Sequence, residues 1–197
     1  MFIRLFLFCF LLIFSVHLFS QERAAITDLA KINIVGLSYE KSMGTYRSLY
    51  ANGFLSASFA YSYSSSFGSE FNSYVVPGVG AQYRFYYNAA KREAKGKRTA
   101  LNNQNYLAPA LETIFSKRRL EYQHIDEPNP RPVSSLGLLW GMQRNYPKHF
   151  SLDLSLGYGV VMGKTTQMDF AGGTTSKNRF YPSPLGWILI GFWLNNK

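Results

Sequence analysis

From His149 to Met162 the chain alternates between two kinds of residue. Phe150, Leu152, Leu154, Leu156, Tyr158, Val160 and Met162 form one row; His149, Ser151, Asp153, Ser155, Gly157 and Gly159 form the other. A period of two puts such rows on opposite faces of a β-strand. The pattern recurs along the chain. In Ile32–Met43, Val35, Leu37 and Tyr39 oppose Gly36, Ser38 and Glu40. In Tyr46–Tyr63, Leu49, Ala51, Leu55 and Ala57 oppose Ser48, Tyr50, Asn52 and Phe54. In Tyr74–Tyr87, Val75, Pro77, Val79, Ala81 and Tyr83 oppose Gly78, Gly80, Gln82 and Arg84, and Pro77, lacking an N–H, marks a bulge or weak ladder point. Tyr106–Arg118 and Val133–Tyr146 alternate in the same way, and Leu185–Leu194 is apolar on both faces.

Between these runs lie turn and loop signals. Ser42–Thr45 and Tyr146–Lys148 read as tight turns, and Ser64–Asn72, Arg119–Pro132 and Gly163–Pro184 as loops. Asn88–Asn105 reads as a long basic connection. Seven strands of roughly 10–18 residues follow, against about 5–6 in ordinary globular sheets and about 9–11 for a strand that crosses a bilayer. An even-numbered ring needs an eighth, which comes either from the stretch before Val35 or from Gly163–Pro184. The expected fold is therefore all-β, an antiparallel transmembrane β-barrel of about eight strands. Counting back from the last strand places the Ser42–Thr45, Asn88–Asn105 and Tyr146–Lys148 connections on the periplasmic side. Aromatic residues near the predicted strand ends (Tyr61, Tyr63, Tyr83–Tyr87, Tyr106, Tyr146, Trp187, Trp193) match interfacial girdles.

The N-terminal sequence sharpens this. MFIRLFLFCFLLIFSVHLFS has one Arg, a run of about a dozen apolar residues and a small residue at Ser20, the form of a secretory signal peptide cleaved near Ser20/Gln21. Residues 1–20 are then the signal and residues 21–197 the barrel domain, carried to the outer membrane. Cys9 is the only cysteine and lies inside that apolar run, so the exported chain has no disulfide. The formal net charge is +10, of which Arg4 supplies one, so the exported chain carries +9. For an exported protein this favours acidic lipid headgroups or lipopolysaccharide phosphates as partners over nucleic acid.

The candidate chemistry lies on the polar rows. Glu40, Arg84, Glu112 and Asp153, with Gln82 and Gln143, fall on faces that point into an eight-stranded ring. Such an interior is just wide enough to be filled by side chains, so buried charges there need partners. The reading is a lumen network in which Arg84 is shared among the carboxylates; the alternatives are an ion path or a catalytic pair. His149 and Ser151 share a face, as in His-x-Ser lipid hydrolases, but a Ser nucleophile needs a base and an orienting carboxylate, and small polar residues are what an inward row holds in any case. Lys91, Arg92, Lys95, Lys97 and Arg98 against Glu93 form a basic turn, either a solvated loop or a contact for an anionic partner. His124 has no second ligand at a telling spacing, so no metal site or cofactor is predicted.

With Tyr39-Glu40-Lys41 at a strand end, QYRFYYN (Gln82–Asn88) before the basic Lys95-Gly96-Lys97, HFSLDLSLGYG (His149–Gly159) and the aromatic C-terminal strand, the chain resembles the small outer-membrane β-barrel proteins of Gram-negative bacteria, in the broad OmpA-like and porin-like superfamily. Asn195-Asn196-Lys197 stand where that superfamily usually ends in Phe. The resemblance implies passage through the barrel-assembly machinery, contact with outer-membrane lipid and a monomer. The function it favours is non-enzymatic: structural, surface-interacting, or at most a narrow pore. A lipid-acting outer-membrane hydrolase and a soluble lipocalin-like carrier are the alternatives.

Overall fold

The computed structural model describes residues 26–64, 68–118, 126–168 and 174–194; the predicted signal segment lies outside the described residues. Eight antiparallel strands form one sheet that closes on itself in sequence order: β1 (Leu29–Asn33), β2 (Gly36–Ser42), β3 (Arg47–Ser64), β4 (Gly68–Tyr86), β5 (Asn105–Arg118), β6 (Asp126–Asn145), β7 (Phe150–Met168) and β8 (Thr174–Trp193). A five-residue helix, α1 (Ala89–Glu93), lies between β4 and β5. The ring closes where β1 pairs with β8 through Lys31–Trp193, Ile32–Phe192 and Asn33–Gly191.

The eighth strand is the one before Val35. The continuous Ile32–Met43 strand expected from the alternation is instead a two-residue hairpin, because Asn33 pairs directly with Gly36 and the chain reverses at Ile34-Val35. Paired residues share a face, so the inward row steps from Leu29, Lys31 and Asn33 to Gly36, Ser38 and Glu40, and the alternation slips by one residue at Ile34-Val35, a slip that the short lead-in leaves inconspicuous. Gly36 has a physical reason to be glycine: a Cβ there would lie 2.1 Å from the Gly53 carbonyl oxygen of β3.

The register fixes a steep tilt. Traced across the ladders from Asn33 through Gly36, Phe54, Gly78, Ile114, Val133 and Gly163, the path reaches β8 at Arg179, whereas Asn33 itself pairs with Gly191. The offset, 191 − 179, is 12 residues, the stagger that closes an eight-stranded sheet with tilted strands.

Above the closed part, the strands continue as two-stranded ribbons. The β4–β5 ladder ends at Gly78–Ile114 and the β6–β7 ladder at Val133–Gly163, while β3–β4, β5–β6 and β7–β8 pair well beyond those points. This corrects the predicted loops. Residues 68–72, 126–132 and much of 163–184 are strand. The prolines that read as loop signals, Pro128, Pro130 and Pro132, fall on a ribbon edge beyond the last β6–β7 pair, and Pro77, read as a bulge or weak ladder point, lies just beyond the last β4–β5 pair, so that a missing N–H forfeits no bond there. Pro77 causes no bulge, since the β3–β4 register runs through it unbroken.

The two faces separate in kind. Leu138, Leu156, Tyr158, Val75, Val79, Leu111 and Ile188 are exposed on the outside, Ile188 by 72%. Arg84 and Glu40, on the inside, are 0% exposed. Near one end, Tyr83, Tyr87, Trp140, Tyr146 and Phe150 form an outer aromatic belt, with the Trp140 indole N–H donating to the Tyr87 hydroxyl at 2.7 Å. Tyr86, Tyr106 and Trp193, expected in such a girdle, are buried inside instead.

Candidate functional site

Seven strands send side chains into one cluster near the end of the ring that holds the β2–β3, β4–β5 and β6–β7 connections. Arg84 on β4 is its centre. Its Nη1 lies 2.9 Å from Asp153 Oδ2 on β7 and 3.8 Å from Glu40 Oε2 on β2. Nε donates to Gln82 Oε1 at 2.9 Å and Nη1 to Gln143 Oε1 on β6 at 2.5 Å. The guanidinium also lies 3.7 Å from the ring centroid of Tyr50 on β3 and 4.3 Å from that of Tyr106 on β5, within cation–π range of both.

The carboxylates are engaged in turn. Glu40 accepts from Ser48 Oγ at 2.6 Å, from Gln143 Nε2 at 3.0 Å and from the Tyr86 hydroxyl. Asp153 accepts from the Tyr106 hydroxyl at 2.7 Å. Lys31 on β1 is buried, and its ammonium is in electrostatic reach of Asp153 and Glu40. Two cations and two carboxylates thus share one enclosed space, which is how charges persist where water is excluded. Arg84, Tyr50, Tyr86 and Tyr106 are all fully buried, so the cross-section at this level is occupied by side chains.

Five of the six residues assigned to a lumen network, Glu40, Arg84, Asp153, Gln82 and Gln143, meet here. Glu112 does not. It is half-buried in the upper interior, where it accepts from the Trp187 indole. Lys31, Ser48, Tyr50, Tyr86 and Tyr106 escaped the sequence reading. Tyr50, Tyr86 and Tyr106 carry the parity of their inward rows; the weakly patterned lead-in hid Lys31, and position near predicted strand ends sent the two later tyrosines to the girdle.

The β4–β5 connection closes the same end. Leu101 and Asn102 both have positive φ, 59° and 56°. The Asn102 amide holds this bend by accepting from Thr27 N–H at 2.8 Å and donating to Thr27 O at 2.8 Å, and Asn145 Nδ2 donates to Leu101 O at 2.6 Å. Of the basic residues, Lys91, Lys95 and Lys97 are exposed, while half-buried Arg92 donates to the Arg98 carbonyl and Glu93 accepts from Thr99. Partial burial pushes the Arg92 guanidinium below its ordinary pKa.

His149 and Ser151 are not a couple. His149 has φ 62°, stacks on Trp193 at 4.0 Å between ring centroids and bonds the Trp193 carbonyl through Nδ1. Ser151 is buried and donates to Asn145 Oδ1 at 2.7 Å. His124 lies outside the described residues.

Comparison of the chain with protein-family models, with curated proteins and with solved structures finds no match.

Proposed function

We propose that this chain is a transmembrane β-barrel of the Gram-negative outer membrane, of the OmpA-like and porin-like kind, acting without catalysis as a membrane-embedded structural or surface-interacting protein with a closed lumen. The observation that carries the reading is the polarity of the ring, apolar outside and charged inside. A water-soluble ring has the reverse arrangement, including a lipocalin-like carrier with its greasy row inward. A bilayer asks for this one: lipid against Leu138, Leu156 and Ile188, and Arg84, Glu40 and Asp153 hidden from it.

Strand length supports the same reading. β3 to β8 run from 14 to 20 residues, more than the roughly 9–11 needed to cross. The end bearing the basic connection faces the periplasm, and the three ribbons extend the barrel outward, where they meet lipopolysaccharide or other surface partners. The occupied cross-section around Arg84 leaves at most a narrow path for ions. Ser151 gives its hydroxyl hydrogen to Asn145, not to a base, among the described residues, which supports the non-catalytic reading.

The test is cell fractionation followed by electrophoresis of unheated and boiled samples. A band in the outer-membrane fraction whose mobility changes on heating is expected. A soluble periplasmic species of one mobility overturns the proposal.

A further inference from the structure

The wall of the ring is incomplete on one side. β1 and β2 stop at the Ile34-Val35 turn, with Ile34 N–H bonding the Ile190 carbonyl of β8 and Leu55 N–H of β3 bonding the Val35 carbonyl. Above that turn β3 and β8 continue for most of their length, and no pairing joins them among the described residues. At the hairpin they stand three strand spacings apart, about 14 Å at about 4.8 Å each.

Behind this gap is a cavity of about 390 Å³, within the roughly 300–1,000 Å³ range of ligand pockets. Val35, Phe54, Leu185 and Trp187 give it apolar walls. Asn52, Ser135 and Glu112 give it a polar inner side. Glu112 has no ion-pair partner among the described residues, unlike the carboxylates of the Arg84 cluster.

The gap opens at a definite depth. Its β8 margin, Gly186 and Pro184, pairs with Leu156 and Tyr158 of β7, and its β3 margin, Leu55, pairs with Pro77 beside Val75. Leu156, Tyr158, Leu55 and Val75 are all exposed on the outer face. On the membrane reading, which this step rests on, the gap therefore opens toward hydrocarbon, the medium from which an acyl chain reaches the apolar walls of the cavity directly. A second strand is a poor cover. Ile190 and Leu194 direct their backbone groups toward β1, so alternation aims those of Ile188, Gly186, Pro184 and Pro182 at the gap, and the last two have no N–H to offer a partner.

We propose that the gap is a lateral lipid site. An acyl chain of a bilayer lipid lies in it between β3 and β8, and a hydrogen-bond-donating headgroup reaches Glu112 from within the lumen. The full-length exported chain is reconstituted in vesicles of phosphatidylethanolamine, or of phosphatidylcholine, brominated along the acyl chains. Trp140 faces outward and is replaced (Trp140→Phe); Trp193 is sealed at the base, so Trp187 reports the cavity. Emission of Trp140→Phe is expected to be quenched beyond that of Trp140→Phe/Trp187→Phe. The excess is expected to be greater in the ethanolamine lipid, which has an ammonium donor, than in the choline lipid, which has none. Glu112→Gln should erase the preference between lipids, and Ser135→Phe, which fills the cavity, should erase the excess itself.

Protein that inserts and is heat-modifiable but shows no excess quenching overturns the lipid site and leaves the barrel reading standing. Equal quenching by the two lipids overturns the role of Glu112. Cross-linked dimers joined through cysteines placed at Ala57 and Gly186 show a second copy in the gap and overturn it also. Failure to float with vesicles and to show heat-modifiable mobility overturns the membrane reading first, and the lipid site with it.

Discussion

Arg84 on β4 and Asp153 on β7 meet across the interior of the ring, Nη1 to Oδ2 at 2.9 Å, from strands that are not neighbours. Such a contact braces the cross-section as the backbone ladders cannot. Its removal leaves a buried charge without its partner. Arg84→Ala is expected to cost about 3–5 kcal/mol, the usual penalty for breaking a buried pair from one side. Denaturant unfolding from detergent micelles measures it. Arg84→Ala/Asp153→Ala is expected to cost less than the two single changes together, the mark of coupled residues. An Arg84→Ala protein with unchanged midpoint and unchanged bilayer conductance contradicts the bracing role.

Gly141 of β6 makes the bracing possible. A Cβ at this position would lie 2.1 Å from Cζ of Tyr106, its cross-strand partner, whose hydroxyl holds Asp153. Gly141→Ala is expected to push the ring aside and destabilise by about 1–3 kcal/mol, the range for overpacking. Gly44→Ala serves as a poor control because φ there is 127°; Gly53→Ala, where a Cβ meets nothing within 4 Å, is the proper one and should be near neutral.

Asn102 separates backbone strain from hydrogen bonding. With φ at 56° it suits asparagine or glycine better than alanine, and its amide carries the bonds to Thr27. Asn102→Gly keeps the conformation and loses the bonds; Asn102→Ala loses both. Alanine is expected to be the more damaging, with glycine costing about 1–3 kcal/mol for the polar groups left unmet. Limited proteolysis of the β4–β5 connection should rank them in that order.

Asp28, just before β1, ties the strand start to β2. It accepts from Lys41 Nζ at 2.5 Å, from Ser42 N–H at 2.8 Å and from the Tyr39 hydroxyl at 3.2 Å. The Lys41 bond first, and the Ser42 N–H second, hold its carboxyl below the ordinary value of 3.8. A carboxyl depressed in the folded state adds stability that is present above its unfolded pKa and lost as pH falls through the folded one. Wild type is therefore expected to exceed Asp28→Asn in stability at neutral pH, with the difference shrinking below about pH 4 as the carboxyl protonates. A difference that stays constant from pH 7 to pH 2 contradicts the role given to this carboxylate.

Much of this was legible in the sequence, because a period of two records which face a residue takes. Leu152, Leu154 and Leu156 stood apart from Ser151, Asp153 and Ser155 without any structure, and so did Arg84 from Val79 and Tyr83. What alternation does not record is where a strand ends. Its phase slips by one residue at adjacent Ile34 and Val35, but β1 is only five residues long, too short for the slip to stand out, which is why β1 and β2 read as one strand. Prolines 128, 130 and 132 read as a loop because their tolerance depends on β7 having already left the ladder, a long-range fact. Lys31 and Tyr106 joined the cluster through closure of the ring, and the gap above Val35 follows only from knowing that two of eight strands are short.

The central claim, that Leu138, Leu156 and Ile188 face hydrocarbon, is tested most directly by probes at those positions. Cys9, in the predicted signal, is the only cysteine, so single cysteines placed there and at inward Ser135 label uniquely with a polarity-sensitive fluorophore. In vesicles, the three outward probes are expected to emit as in an apolar medium and to be quenched by nitroxide-bearing acyl chains but not by aqueous iodide. Water-like emission and iodide quenching at all three outward positions contradicts the account.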